Sequence, residues 1–154
     1  MKRYNVVLLI YVLVLIAWVA TSAEKTENSI ATHNVYWFSL YYEQRIWLVN
    51  DYGKIYDVLP EDKMDSAPIV TGLTINEING QIKDKLLIYV PKQIPSTIFE
   101  INLAEKYVTT VNAAIIYLTS LEDISNCLSV LRTVGQYLDT GKKYLFKNGK
   151  LYSI

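Results

Sequence analysis

The chain has very few of the residues on which many catalytic and metal sites depend. Its 154 residues include one cysteine and one histidine. The single cysteine, Cys127, excludes an intramolecular disulfide and a zinc site built from cysteines. With His33 as the only histidine, a histidine-dependent triad or a clustered metal site is not expected. We therefore expect no metal and no other cofactor, although a site made only of carboxylates stays open.

The chain also lacks a net charge of either sign. Fifteen Lys and Arg residues balance fifteen Asp and Glu residues, so no global field draws the protein to nucleic acid. Aromatic residues are abundant instead, with 13 Tyr and three Trp. They favour a sheet-rich domain over a helical bundle. The length predicts one domain, or an anchor plus one small domain.

A long apolar run lies near the N-terminus. After Lys2 and Arg3 no charged residue occurs until Glu24, and residues 4–23 are almost wholly apolar. About 20 helical residues span a hydrocarbon core of about 30 Å, and aromatic rings prefer its two boundaries. The run therefore predicts a transmembrane anchor. Its predicted membrane-anchor residues include Tyr4, Leu9, Leu13 and Trp18.

The two basic residues before the run predict its orientation. They keep a cytoplasmic tail, residues 1–3, inside the cell and export the rest of a single-pass protein of the inner (plasma) membrane. A cleaved signal peptide is the competing interpretation, with the small residues Ala20–Ala23 as its cleavage site. The run is longer than a usual signal core, which favours the anchor. Residues 24–34 are polar and predict a tether, and residues 35–154 form the exported domain under either interpretation.

The exported domain begins with a predicted three-strand meander. Residues 35–41, 45–49 and 54–58 are rich in β-branched and aromatic residues, which is typical of strands. Between the second and third strands, Asn50 and Gly53 supply the chemistry of a tight turn. The chain therefore predicts antiparallel pairing in this part.

The middle of the domain predicts two helices among further strands. Thr74 to Glu77 has the spacing of a capping box and predicts a short helix through Ile82. Apolar residues at three- and four-residue spacing predict a longer helix over 120–138, where Cys127 is expected to be a buried, inert thiol. Gly141 is the expected end of that second helix. The predicted strands are residues 86–90, 97–103, 106–111 and 114–118.

A terminal hairpin closes the chain. Asn148-Gly149 is a strong two-residue hairpin signal, and pairing Lys147 with Lys150 sets Phe146 opposite Leu151. The whole order predicts an α+β fold, in which an N-terminal transmembrane helix precedes a mainly antiparallel sheet with two covering helices.

Several short segments, in this order, resemble the exported β-domain of the bacterial cell-division family FtsQ, also called DivIB. They are Trp47–Tyr56, Ala67–Gly72, Phe99–Ile101 and Ile115–Leu118, followed by the helix and the terminal hairpin. The chain departs from the family in two places. Only the short tether stands where the family has a POTRA domain, and Lys143–Leu145 replaces the family's Asp-Leu-Arg before the last turn.

The resemblance implies a scaffold of the division machinery that binds partners of the FtsB/FtsL type during septum formation. In the family the terminal strands recruit these partners by strand addition at a sheet edge. The candidate contacts are Tyr144, Phe146, Leu151, Tyr152 and Ile154. The same residues could instead pack on the helix, and the nearby lysines could steer acidic partners or guard the edge against aggregation.

Two other functions are consistent with the sequence. A secreted or membrane-anchored binding domain with an unknown ligand needs only the export signal and the small domain. A hydrolase would need paired carboxylates such as Asp51 and Asp57. Asp51 is better explained as a turn residue, and no oriented base or nucleophile accompanies the pair. We therefore expect no enzymatic activity.

Overall fold

A computed structural model describes residues 35–59, 67–76 and 80–154. The predicted anchor and tether, including Tyr4, Leu9, Leu13 and Trp18, lie outside these residues, as does His33. Within the three described ranges, no helix is long and apolar enough to cross a membrane. Residues 35–154 make up one unit with its own hydrophobic core.

The described chain forms eleven strands, one α-helix and three short 3-10 helices. The strands are β1 Tyr36–Tyr42, β2 Arg45–Asn50, β3 Ile55–Val58, β4 Ile69–Thr71, β5 Ile75–Asn76, β6 Gln81–Ile82, β7 Ile98–Asn102, β8 Tyr107–Thr110, β9 Ile115–Leu118, β10 Lys143–Lys147 and β11 Lys150–Ser153. The α-helix, α1, is Ile124–Val134. The 3-10 helices are Lys85–Tyr89, Leu121–Asp123 and Gly135–Tyr137.

Nine strands form one mixed sheet in the order β11-β10-β9-β8-β7-β4-β1-β2-β3. The predicted meander β1-β2-β3 is confirmed, with antiparallel pairing and Leu40 opposite Trp47. A second antiparallel meander is β7-β8-β9. Three neighbouring pairs are parallel, namely β1 with β4, β4 with β7, and β9 with β10. The prediction of a mainly antiparallel sheet with two covering helices is therefore wrong.

The face of the sheet that meets the helix carries much of the core. Cross-strand neighbours Ile101, Val108 and Ile116 are fully buried on that face. The helix contributes the buried side chains of Ile124 and Leu131 to the same hydrophobic cluster. The predicted amphipathic helix is thus present, although it is shorter than 120–138, because 3-10 turns precede and follow its α-helical part.

The predicted short helix at residues 74–82 is replaced by a two-stranded sheet, β5 with β6. The Ile55 amide donates to the Gly80 carbonyl, and the Ile82 amide donates to the Gly53 carbonyl. Gly80 has a φ of +62°, which a helix interior does not allow. Hydrogen bonds to the main sheet therefore replace the helical bonds that the capping-box spacing predicts. As a result, β6 lies beside the first residues of β3, on the side of β3 that faces away from β2.

The predicted strand at residues 86–90 is also wrong, because most of it forms the 3-10 helix Lys85–Tyr89. The Asp84 carboxylate accepts hydrogen bonds from the amides of Leu86, at 2.8 Å, and Thr74, at 2.7 Å. This cap satisfies amides that a turn leaves without partners. These bonds lower the pKa of Asp84.

Candidate functional site

The terminal hairpin has the predicted register. Lys147 pairs with Lys150, and Phe146 pairs with Leu151. Asn148 and Gly149 have φ values of +52° and +73°, the left-handed conformations that a two-residue type I′ turn requires. β10 also pairs in parallel with β9, so the hairpin is a fixed part of the main sheet.

The outer side of β11 is a free edge. β11 ends the sheet order, with β10 on one side and no other described strand on the other. The Ile154 amide donates to the Lys143 carbonyl at 3.1 Å, which fixes the phase of the alternating antiparallel pattern. In that phase Lys150, Tyr152 and Ile154 direct their backbone groups toward β10. Leu151 and Ser153 therefore direct N–H and C=O groups outward, where an added strand could bind them.

The five predicted contact residues do not share one environment. Phe146 is fully buried in the core, and Tyr144 and Leu151 pack partly buried against that core. Tyr152 and Ile154 are on the other face, where they are 47% and 69% exposed. The alternation of side chains along a strand explains the division, because Phe146 points toward α1 and its neighbours point away. Phe146 cannot contact a partner without unfolding the hairpin.

The terminal hairpin is uniformly basic. Residues 140–154 contain four lysines and no acidic residue. Lys142 forms a salt bridge with Asp139, which raises the pKa of Lys142. Lys147 and Lys150 are exposed directly opposite each other, and like charges in that position destabilise a strand pair. Among the described residues no acidic side chain forms a salt bridge with this pair.

A cleft that sequence reasoning missed lies beside the β2–β3 turn. Its volume is about 550 Å³, and its lining includes Trp37, Asp51 and Lys92. The Lys92 ammonium lies 3.8 Å from the centroid of the Trp37 ring, at cation–π distance. The Trp37 indole N–H donates to the Pro91 carbonyl at 2.7 Å. No local motif in residues 84–92 could have indicated the cleft, because distant strands form its other wall.

The two carboxylates of the hydrolase hypothesis lie toward opposite ends of β3, with Asp51 in the turn before it and Asp57 near its end. The Asp57 carboxylate accepts a hydrogen bond from the Val58 amide at 2.8 Å. The Asp51 Oδ1 atom is buried with no hydrogen-bond partner and lies at the β2–β3 turn. Asn50, rather than Asp51, holds that turn, because its side-chain oxygen accepts from the amides of Tyr52 and Lys54.

Neither a reactive thiol nor a metal cluster is found in the described part of the chain. Cys127 is fully buried, and burial raises the pKa of its thiol to about 12. It is therefore the inert thiol that the sequence predicts. Within the described residues, no group of three or more His, Cys, Asp or Glu side chains could hold a metal ion.

Comparison with protein-family models, with curated proteins and with solved structures finds no match. The resemblance to FtsQ/DivIB therefore stays a prediction.

Proposed function

We propose that this protein is a single-pass membrane scaffold that binds division proteins of the FtsB/FtsL type by strand addition to the free edge of β11. The observation that carries the proposal is the pair of outward-facing residues, Leu151 and Ser153, on the outermost strand. Main-chain hydrogen bonds to an added strand supply affinity without a pocket. The exposed side chains of Tyr152 and Ile154 flank that edge and supply side-chain contacts.

The opposite outer strand is less suited to the same use. β6 lies beside the start of β3, through the bridge between Lys54 and Gln81 and the Ile55 amide bond to Gly80. The carboxylate of Asp57 bonds the next amide along β3. Both features compete with an incoming strand for backbone groups on that side.

The test is co-purification of small bitopic coiled-coil proteins with the full-length chain from membranes. Ser153→Pro removes an outward N–H but no bond to β10, because proline is tolerated on the open side of an edge strand. We expect this variant to lose partner capture while its melting temperature stays close to that of the parent chain. Ser153→Ala, which keeps the N–H group, is the matched control and should retain capture.

Capture that survives in Ser153→Pro would exclude strand addition at this edge. A separate experiment tests the division role itself: depletion of the protein should give filamentous cells, because septation would lack its scaffold. Normal septation after depletion would contradict the proposed role whatever the binding edge.

A secreted or anchored binding domain with an unknown ligand is the second candidate. The cleft beside Trp37, with its volume of about 550 Å³, is the observation that favours it, because ligand sites are concave and largely apolar. Under this alternative, ligand capture would depend on the exposed rim residue Tyr52 and would be unaffected by Ser153→Pro.

A further inference from the structure

One end of the main sheet is distinct from the other in its exposed surface. We call it the entry edge, defined as the end at which β1, β4, β7, β9 and β10 begin and β2, β8 and β11 finish. Its position follows from the strand pairings. Val35, the first described residue, is at this edge, where its carbonyl accepts from the Asp51 amide at 3.0 Å.

Large exposed hydrophobic residues concentrate at the entry edge. Ten such residues occur in the described ranges, and eight of them are at this edge, so the distribution is strongly one-sided. Tyr41 lies near the opposite end and Tyr152 in mid-strand. The eight residues of the entry edge are Val35, Tyr36, Tyr52, Ile88, Phe99, Val111, Tyr137 and Ile154.

Hydrogen bonds and a shared cleft place several of these residues at the same end of the sheet. The Val111 amide donates to the Thr97 carbonyl at 2.9 Å, just before β7 begins. The Asn112 side chain donates to the Leu138 carbonyl, which brings the neighbouring Tyr137 to the same end. Ile88 lines the cleft that Tyr52 also lines. From β2 to β11 the entry edge crosses seven strand spacings, or about 34 Å at about 4.8 Å each.

The opposite end of the sheet is polar. The turns after β1, β7 and β10 carry exposed charged residues, and of the ten large exposed hydrophobic residues only Tyr41 lies near this end. The charged residues are Glu43, Arg45, Glu105, Lys106, Lys147 and Lys150. The two ends of one sheet therefore suit two different surroundings, one wholly aqueous and one partly apolar.

The N-terminal segment, residues 1–34, joins the described chain at Val35 and hence at the entry edge. Residues 24–34 separate the apolar run 4–23 from Val35. These eleven residues reach at most about 40 Å when fully extended. If residues 4–23 span a bilayer, the entry edge is thus covalently held within about 40 Å of its surface.

We propose that the entry edge rests in the headgroup layer of the bilayer, with its tyrosines and aliphatic side chains at the boundary of the hydrocarbon core. This inference rests on the membrane anchor of the proposed function. A lipid surface is favoured over a protein partner because the exposed residues are spread over seven strand spacings, at the end of the sheet that the tether joins to the anchor. Tyrosine is enriched in this layer, and Lys92, which lines the same cleft as Tyr52 and Ile88, supplies a positive charge for lipid phosphates.

The experiment measures the depth of single labels on the full chain reconstituted in bilayers without other proteins. Val111→Cys and Tyr137→Cys carry an environment-sensitive fluorophore at the entry edge, and Glu105→Cys and Lys106→Cys carry it at the opposite end. Buried Cys127 stays unlabelled in the folded protein. With a quencher on the lipid headgroup, we expect at least about threefold stronger quenching at the entry edge, because contact quenching needs the label within the headgroup layer.

Charged variants separate docking from simple proximity. Ile88→Glu combined with Val111→Glu should reduce quenching of the Tyr137→Cys label to the level seen at the opposite end. Tyr41→Glu, a matched change at an exposed residue away from the entry edge, should leave it unchanged. Since all three side chains are exposed, the melting temperatures should stay close to that of the parent chain.

Equal quenching at both ends of the sheet would overturn the inference. So would entry-edge quenching that appears only after partner proteins are added, because the edge would then bind protein. Loss of the chain from the bilayer during a carbonate wash is a different outcome. It would overturn the anchor of the proposed function, and it is scored before any quenching is measured.

Discussion

Replacing Phe146 by alanine separates a structural role from a contact role within the candidate site. Phe146 is fully buried and faces Leu118 on β9 and Leu151 on β11. Removing a buried phenylalanine side chain costs about 3–5 kcal/mol, since transfer energy is lost and a cavity remains. A domain of this length loses about 4 °C of melting temperature per kcal/mol. We therefore expect Phe146→Ala to melt about 12–20 °C below the parent chain.

Tyr152→Ala is the matched control from the same hairpin. Tyr152 is 47% exposed, so its truncation should lower the free energy of unfolding by about 1 kcal/mol or less. The melting temperature should then fall by at most about 4 °C. Thermal unfolding followed by circular dichroism measures both variants. Equal melting temperatures for the two would refute the assignment of Phe146 to the core and Tyr152 to the surface.

Three further predictions concern the interior and the loops. Gly72→Ala should lower the free energy of unfolding by about 2–5 kcal/mol, because Gly72 has a φ of +78° and an added Cβ would lie 2.5 Å from the Ala104 amide nitrogen. Gly149→Ala is the control, at a similar φ but in open space, and should lower it by only about 1–2 kcal/mol. The raised pKa of Cys127, about 12, favours the neutral thiol in the folded state, so its contribution to stability is complete below the unfolded pKa and falls as pH rises from about 9 to 12. Chemical unfolding at a series of pH values should show the free energy of unfolding falling over this range, and Cys127→Ala should make that fall smaller. The pKa of Asp84 is lowered, so its contribution to stability depends on pH in the opposite direction. That contribution is present above the unfolded pKa and is lost as the pH falls through the folded pKa. Asp84→Ala should therefore weaken the loss of unfolding free energy in acid.

Sequence reasoning found the parts of the fold that local chemistry determines. The β1–β2–β3 meander and the register of the terminal hairpin follow from short turns, in which Asn50, Gly53 and Asn148-Gly149 act on their immediate neighbours. The parallel pairs of β4 with β1 and β7 could not be predicted in this way. No turn residue links those strands, and their pairing depends on contacts distant in the sequence.

The two wrong helix and strand predictions have a common cause. Thr74 to Glu77 has a helix-starting pattern, but the chain that follows it bonds to distant residues instead. The Ile82 amide donates to the Gly53 carbonyl, and the Gly80 carbonyl accepts from the Ile55 amide. Residues 86–90 have strand composition, but the cap from Asp84 turns them into a 3-10 helix. In each segment two hydrogen bonds that the local pattern does not predict outweigh propensity, which differs between states by only about 1 kcal/mol per residue.

For the candidate site, alternation along the hairpin predicted two faces but not which one meets the helix. That choice depends on the crossover from β9 through α1 to β10, which sets β10 parallel to β9. The same side chains then divide into a buried set around Phe146 and an exposed set around Tyr152. Neither set could be assigned from the residues of the hairpin alone, since both contain aromatic and aliphatic side chains.

The crossover also determines which strand can receive a partner. Parallel pairing with β9 uses the backbone groups of β10 that point away from β11, so on this side of the sheet β11 is the outermost strand. A second copy of this chain pairing there would bring further lysines beside Lys147 and Lys150, and that repulsion opposes self-association. A neutral or acidic strand meets no such repulsion. Under the proposed function, the basic hairpin would therefore both guard the free edge against other copies and favour a partner of different charge.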